Sequence, residues 1–256
     1  MEGADLVAAG LAAGHHPQVV FLREEAADEL GARLGLIGYG GDEGGPAGAA
    51  APARSGPPPG VFAVDERVAA RISTLETPAD AMAIFPLPER GALSSLPALA
   101  PLVVYVDGVQ DPGNVGTLIR AAVLFGADAL VTSLRSADPY GPKTVRASMG
   151  AVFGLRLFSE ATLAEVAGQL PEAEVYGLSA HEGEPLAGAG LRRPAILAIG
   201  AERSGLSRAS LARVTRPVTI PLAAGAVGAV ESLNAGVAGA IALYEFSRRP
   251  AAPQEG

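Results

Sequence analysis

The sequence predicts an α/β chain: a mainly parallel sheet covered by helices, with a smaller N-terminal α/β domain. Three observations carry that prediction. After Pro101, short apolar runs alternate with helical patterns, the rhythm of parallel strands joined by crossover helices. The run LVVYV that opens this stretch has the near-continuous apolar character of a strand covered on both faces. Before Glu89 the texture is different, with a few strands and helices around a long Gly-, Pro- and Ala-rich stretch.

In chain order, residues 1–88 form the first domain. An amphipathic stretch runs from Ala4 to Ala13, a strand covers Val19–Leu22, and a helix lies around Glu24–Leu34. The segment Gly38–Gly60 is too rich in Gly, Pro and Ala to bury a core and reads as a mobile loop. VFAVDERVAARIS then turns a strand into a helix, and Ala81–Phe85 gives one more strand. Residues 89–100 read as a linker, with Pro97 and Pro101 near its end.

Residues 101–256 form the second domain. LVVYVDG is its first strand, and GNVGTLIRAAVLFGA is a helix stopped by Gly126. ADALVTS is the next strand and KTVRASMGAVFG the next helix. LRLF, EVYGLSA, PAILAIG and PVTIPLA are further strands, and ESLNAGVAGAIALYEFSRR closes the pattern as a helix.

Composition narrows the functional classes. The 256 residues suit one large domain or two modest ones, and 49% are hydrophobic, enough for a packed core. There is no apolar run long enough for a membrane span, and the first residues lack the basic start and apolar stretch of a signal peptide. The chain has no cysteine, and His15, His16 and His181 are too scattered for a zinc site. Together these features predict a soluble, cytoplasmic, metal-free protein. A net charge of −8 argues mildly against a nucleic-acid partner. Lys143 is the single lysine among 19 basic residues, so the rest are arginines. Arginine suits phosphate and base edges, although a GC-rich coding bias accounts for the same excess.

In open parallel sheets, ligands bind beyond the carboxyl ends of the strands. Three loops there hold unusual residues. In DGVQDPGNVGTLIR, Asn114 sits near the N-cap of a helix, and Arg120 lies two turns in, on an apolar face beside Leu118, Ala121 and Ala122. The spacing matches neither a dinucleotide nor a P-loop fingerprint. In LAIGAERSGLS, a strand runs into Gly200, followed by Glu202 and Arg203, and Ser207 can cap the next helix. In IPLAAGAVGAVESLN, a strand ends at Pro221 and a small-residue loop follows. Glu231 or Ser232 is the natural N-cap there, with Asn234 inside the first turn. Each segment alone is explained as well or better by ordinary caps and turns.

In order and spacing, DPGNVGTLIRAAVLFG, LAIGAERSGLS and IPL-loop-SLNAGVAGAI together resemble the SpoU (TrmH-type) branch of the SPOUT methyltransferases. The resemblance covers roughly residues 100–248. The opening MEGADLVAAGLAAG and the stretch VFAVDERVAARISTLETPADAMAIF resemble the N-terminal domain of some members, a ribosomal-protein-like RNA-binding fold. The resemblance implies a deep trefoil knot, a homodimer formed through the catalytic domain, and an S-adenosyl-L-methionine-dependent RNA 2′-O-ribose methyltransferase. It implies rRNA as the partner, most of all 23S-type large-subunit rRNA, with residues 1–88 selecting the RNA. A tRNA ribose methyltransferase and a non-catalytic ribosome-binding protein of the same fold are the alternatives.

The same resemblance assigns residues. Ser179, Ala180, Gly200, Ala201, Ile220, Pro221, Leu222, Ser232, Leu233 and Asn234 would hold the cofactor. Arg120 would activate the 2′-hydroxyl, alone or across the dimer. Because a guanidinium is a poor base, it would do so best by binding the adjacent phosphate and stabilising the forming alkoxide. Asn114, Glu202, Ser232 and Asn234 would complete the polar set, Asn114 and Asn234 orienting substrate or cofactor and Glu202 fixing Arg120 or another partner. The loop Ala223–Val230 is longer than the family pattern, and the Gly38–Gly60 segment is an addition to it.

Overall fold

The computed structural model describes residues 1–36, 59–88, 92–96, 101–222 and 232–248. Most of the Gly38–Gly60 segment and all of the Ala223–Val230 loop lie outside the described residues. The chain divides into two compact units, Met1–Pro88 and Glu89–Gly256.

The first unit contains α1 (Ala4–Ala12), β1 (Val19–Arg23), α2 (Ala27–Arg33), β2 (Gly60–Val64), α3 (Glu66–Ile72) and β3 (Ala81–Ile84). The helix expected around Glu24–Leu34 begins as a 3-10 turn at Glu24–Ala26 before α2. The strands form a sheet in the order β2-β1-β3, with β2 parallel and β3 antiparallel to β1. Alternation along β1 sends Val20 and Leu22 to one face, where they pack with Val7, Leu30, Leu34, Ala81 and Ala83. Phe21 points to the other face, with Val64, Ala69 and Met82. The Asp65 carboxylate accepts the Val68 N–H at 2.7 Å and starts α3.

The second unit is a seven-stranded sheet in the order β6-β5-β4-β9-β7-β10-β8, parallel at every pairing. Its strands are β4 (Leu102–Asp107), β5 (Ala129–Thr132), β6 (Arg156–Phe158), β7 (Glu174–Ser179), β8 (Glu184–Pro185), β9 (Ala195–Gly200) and β10 (Arg216–Thr219). The helices are α4 (Pro112–Leu124), α5 (Pro142–Ala147), α6 (Leu163–Gln169), α7 (Arg208–Leu211) and α8 (Ala235–Ser247). All six residues of β4 are buried, and β4 lies in register with β9 from Leu102 against Ala195 to Asp107 against Gly200. Within the segment read as a linker, Leu96 is buried with Val103, Phe158 and Leu163, and Leu93 packs against that cluster.

Several elements differ from the sequence expectation. The N-cap of α4 is Asp111, whose side chain accepts the Gly113 N–H at 3.1 Å, so Asn114 stands in the first turn with its side chain released for other contacts. The N-cap of α8 is Asn234, which accepts the Val237 N–H at 3.1 Å, in place of Glu231 or Ser232. Strand β10 stops at Thr219, before Pro221. The helix read over KTVRASMGAVFG breaks after Ser148, because Met149 and Gly150 both take left-handed backbone (φ 51° and 86°), and resumes as a 3-10 turn at Ala151–Phe153. Helix α6 was not expected, although TLAE spells a capping box: Thr162 and Glu165 satisfy each other's backbone N–H groups.

Small residues place α4 at the centre of the helical layer. A Cβ on Gly116 would come within 2.5 Å of the Ala147 Cβ on α5, and one on Gly239 of α8 within 2.2 Å of Leu118. Glycine at these two points lets α5 and α8 both close on α4. The end of α4 is as expected: Gly126 adopts a left-handed φ of 70°, and Ala127 N–H returns to Ala122 C=O at 2.8 Å, a Schellman stop. Among the described residues, no helix is long and apolar enough to cross a membrane.

Candidate active site

The three segments that stand apart in sequence meet at the carboxyl edge of the sheet. Glu202, on the loop after β9, accepts with its Oε1 from Asn114 Nδ2 at 2.5 Å, Asn234 Nδ2 at 2.8 Å and the Ala235 N–H at 3.3 Å. Asn234 Nδ2 also donates to Asn114 Oδ1 at 2.8 Å. One carboxylate oxygen and two carboxamides thus tie the first turn of α4, the β9–α7 loop and the first turn of α8 into a clasp.

The β9–α7 loop is braced from below. Ala201 and Gly205 exchange backbone hydrogen bonds at 3.2 and 2.8 Å. A Cβ on Gly200 would lie 2.1 Å from the Gly205 carbonyl carbon, so only glycine lets this loop fold back on itself. The buried Asp107 carboxylate accepts the Ser207 N–H at 2.8 Å. Ser207 in turn caps α7 by accepting the Ser210 N–H, as expected. Beneath it, Tyr105 donates to the Ala161 carbonyl at 3.2 Å. Burial first, and the Asp107 carboxylate second, push the Tyr105 phenol above its ordinary pKa.

Beside the clasp lies a cavity of about 750 Å³, within the range of small-molecule sites. Its walls come from the loops after β7 and β9, from the segment after β10 and from the start of α8. Ser179, Ala180, Gly200, Ala201, Ile220, Leu222, Ser232 and Leu233, all assigned to the cofactor by the resemblance, line it. Pro221 and Asn234 do not; Asn234 instead holds the clasp beside it. Of the residues read as catalytic, Glu202 and Ser232 reach the wall, whereas Asn114 and Arg120 do not.

Arg120 is not on an apolar face. Leu118, Ala121 and Ala122 are buried, while Arg120 lies on the outer stripe of α4 with Thr117 and Leu124. Glu202 does not fix it: among the described residues, Arg120 makes no hydrogen bond or ion pair. Sequence reasoning missed His181, Glu182 and Arg203 on the cavity wall, and Asp107 beneath it. A carboxylate closing an otherwise apolar, doubly covered strand was the signal for Asp107.

The cavity chemistry suits S-adenosylmethionine. Ile199, Leu206, Val214 and Leu233 offer apolar surface to a purine and a thioether chain, and the carboxylates of Glu182 and Glu202 stand on the same wall, able to face a cationic group. Gly200 and Gly205 bring bare backbone to that wall.

Comparison with known proteins agrees with this geometry. Residues 101–244 match the SpoU rRNA Methylase family. The chain is 32% identical over 186 residues to the 23S rRNA (guanosine(2553)-2′-O)-methyltransferase RlmP of Bacillus subtilis (strain 168), covering 72% of this chain and 71% of that protein. It is 31% identical over 182 residues to the 23S rRNA (uridine(2479)-2′-O)-methyltransferase of Streptomyces viridochromogenes, covering 68% of this chain and 62%, under two thirds, of that relative. The fold superposes on the SpoU methyltransferase AviRb from Streptomyces viridochromogenes, solved in complex with the cofactor AdoMet, with a TM-score of 0.77 at 25% identity, covering 97% of this chain and 88% of that one. With the family's segment spanning more than half its length and the three diagnostic segments meeting at one edge of the sheet, the chain belongs to the SpoU rRNA methylase family.

Proposed function

We propose that this protein transfers a methyl group from S-adenosyl-L-methionine to a ribose 2′-hydroxyl of large-subunit rRNA. The observation that carries the reading is the clasp of Asn114, Glu202 and Asn234 standing beside a cavity of cofactor size. Relatives that methylate the 2′-oxygen of guanosine and of uridine in 23S rRNA point to the same class of substrate.

Bound in the cavity, the cofactor supplies an electrophilic methyl carbon. The protein must then hold that group, place the ribose oxygen in line with it and stabilise the charge that forms as the hydroxyl proton leaves. The loops after β7 and β9 and the start of α8 do the holding. Asn114 and Asn234 spend their polar atoms on Glu202, on each other and on the α8 cap. They therefore position the cavity wall; orienting the substrate directly would require breaking those bonds.

Arg120 is the group that meets the RNA. It stands six residues beyond Asn114, about 9 Å along α4 at the helical rise, too far to line the cavity of its own subunit. A homodimer resolves this. Val237, Ile241 and Tyr244 form an exposed i, i+4, i+7 stripe on α8, and Leu124 is exposed on α4. Burying this stripe against a second copy would carry each Arg120 toward the partner's cavity, where its guanidinium can bind the adjacent phosphate and stabilise the alkoxide.

Helix α8 is read as threaded through an earlier loop in a deep trefoil knot, with the Asn234 cap tied to Asn114 and Glu202 as its fastening. Residues 1–88 are read as the RNA-selecting domain, and the cytoplasm as the compartment of action. The decisive experiment incubates the protein with methyl-labelled cofactor and with rRNA or tRNA, then maps 2′-O-methylated nucleotides. A single 2′-O-methyl in 23S-type rRNA is expected. Label on a base, in tRNA alone, or in neither RNA refutes the reading.

A further inference from the structure

The loop between β5 and α5 is held stiffly while its tip is left unpartnered. Gly108 N–H donates to Ser133 Oγ and Ser136 Oγ, both at 3.0 Å, and Ser136 Oγ donates to the Val106 carbonyl at 2.9 Å. Ala137 N–H reaches the Val109 carbonyl at 2.9 Å, and Asp138 closes the turn by accepting the Tyr140 N–H at 2.9 Å. Between Ser133 and Ser136, Leu134 is 75% exposed. Arg135 and, past the turn, Lys143 are exposed, and neither makes a hydrogen bond or ion pair with a described residue. Fixing a backbone with side-chain hydroxyls beneath an exposed Leu–Arg pair has no packing purpose, because neither side chain packs.

The position of this loop gives it a purpose. It follows the carboxyl end of β5, and the strand order β5-β4-β9-β7 puts it on the same edge as Asn114, Glu202 and the cavity. Two strand spacings separate it from the β9 loop and three from the β7 loop, about 10 and 14 Å. At roughly 3.4 Å per stacked nucleotide, that is three to four nucleotides from the cavity. The chain carries a net charge of −8, so free cations on this edge are not part of a general basic surface.

We infer that the Ser133–Lys143 segment grips the RNA strand beside the target ribose, with Arg135 and Lys143 on backbone phosphates and Leu134 against the apolar face of a sugar or base. This deepens the proposed function and rests on it. The backbone braces pre-pay the ordering that a flexible loop would lose on binding.

The test uses the full chain with the RNA it methylates, and compares wild type with Arg135→Ala, Lys143→Ala, Leu134→Ala and the Arg135→Ala/Lys143→Ala pair. Arg213→Ala serves as control: it removes an equally unpaired, exposed arginine, but just before β10, on the opposite edge of the sheet. Each cation removed should flatten the slope of log affinity against log salt by about 0.7–0.9. The pair should lower kcat/KM for RNA by at least about fivefold, with cofactor affinity and thermal stability unchanged. Arg213→Ala should leave slope and rate as in wild type. If the pair binds and methylates RNA with the wild-type slope, this inference fails while the proposed activity stands. If wild type neither binds nor methylates RNA, both fail.

Discussion

Replacing Glu202 with alanine removes the acceptor shared by Asn114, Asn234 and the first N–H of α8. The consequences differ by donor. Asn234 Nδ2 keeps Asn114 Oδ1, and the Ala235 N–H belongs to a first helical turn that has no intrahelical partner in any case. Asn114 is buried, and its Nδ2 loses its one acceptor. An orphaned buried donor costs about 1–3 kcal/mol, and because Glu202 itself is exposed, no desolvation is recovered. A net loss of about 1–3 kcal/mol lowers Tm by about 2–12 °C for a unit of this size. The loosened loop should also weaken cofactor binding by about tenfold. Scanning calorimetry and titration calorimetry with S-adenosylmethionine measure both. Glu202→Gln separates the clasp from chemistry: its amide oxygen can still accept, so most of the Tm and of the turnover should return. A Glu202→Ala protein with wild-type Tm and cofactor affinity refutes the clasp. A Glu202→Gln protein that is stable yet slowed a hundredfold keeps the clasp but refutes the purely positioning role, by making the carboxylate a proton acceptor.

Arg120→Ala should leave cofactor affinity unchanged and slow methyl transfer by at least about a hundredfold, the scale of a charge-stabilising group; near-normal single-turnover rates would end that assignment. Gly200→Ala would place its Cβ 2.1 Å from the Gly205 backbone, so the loop must open: expect a Tm several degrees lower by calorimetry and a cofactor Kd raised about tenfold or more. Glu174 accepts from the Tyr176 hydroxyl at 2.6 Å, and that bond, followed by Arg192 and Arg216, holds its carboxyl below the usual range. A depressed carboxylate stabilises the fold above its unfolded pKa, about 4.3, and that contribution is lost as pH falls through the lower folded value. Urea melts of Glu174→Gln between about pH 5 and pH 3 should therefore show a shallower acid decline than wild type.

Much of the catalytic unit was legible in the sequence because its signals are local. Runs such as LVVYV and AILAI have the composition of strands covered on both faces, and β4 and β9 are buried throughout. Gly126 stops α4 because it alone tolerates the left-handed turn. Ser179, Gly200, Ile220 and Leu233 were placed by family pattern and do line one cavity. The misplacements were equally local. Asn114 and Asp111 both suit an N-cap, and so do Ser232 and Asn234; propensity cannot rank two good caps three or fewer residues apart. The tertiary bonds rank them.

The sequence by itself determined the alternation of strands and helices and the loops at the strand ends, since each follows from composition and spacing within a few turns of chain; the family came from the resemblance of three motifs taken together. Only the tertiary structure decided what the polar residues do. Asn114, Glu202 and Asn234 are separated by 88 and 32 residues along the chain, and nothing local says that one carboxylate oxygen joins all three. It needed the order β5-β4-β9-β7 to bring their loops to one edge. The same order set Arg135 on the cavity's edge of the sheet, because a parallel sheet aligns the ends of strands that the sequence leaves far apart, and the burial of Leu118, Ala121 and Ala122 turned Arg120 outward.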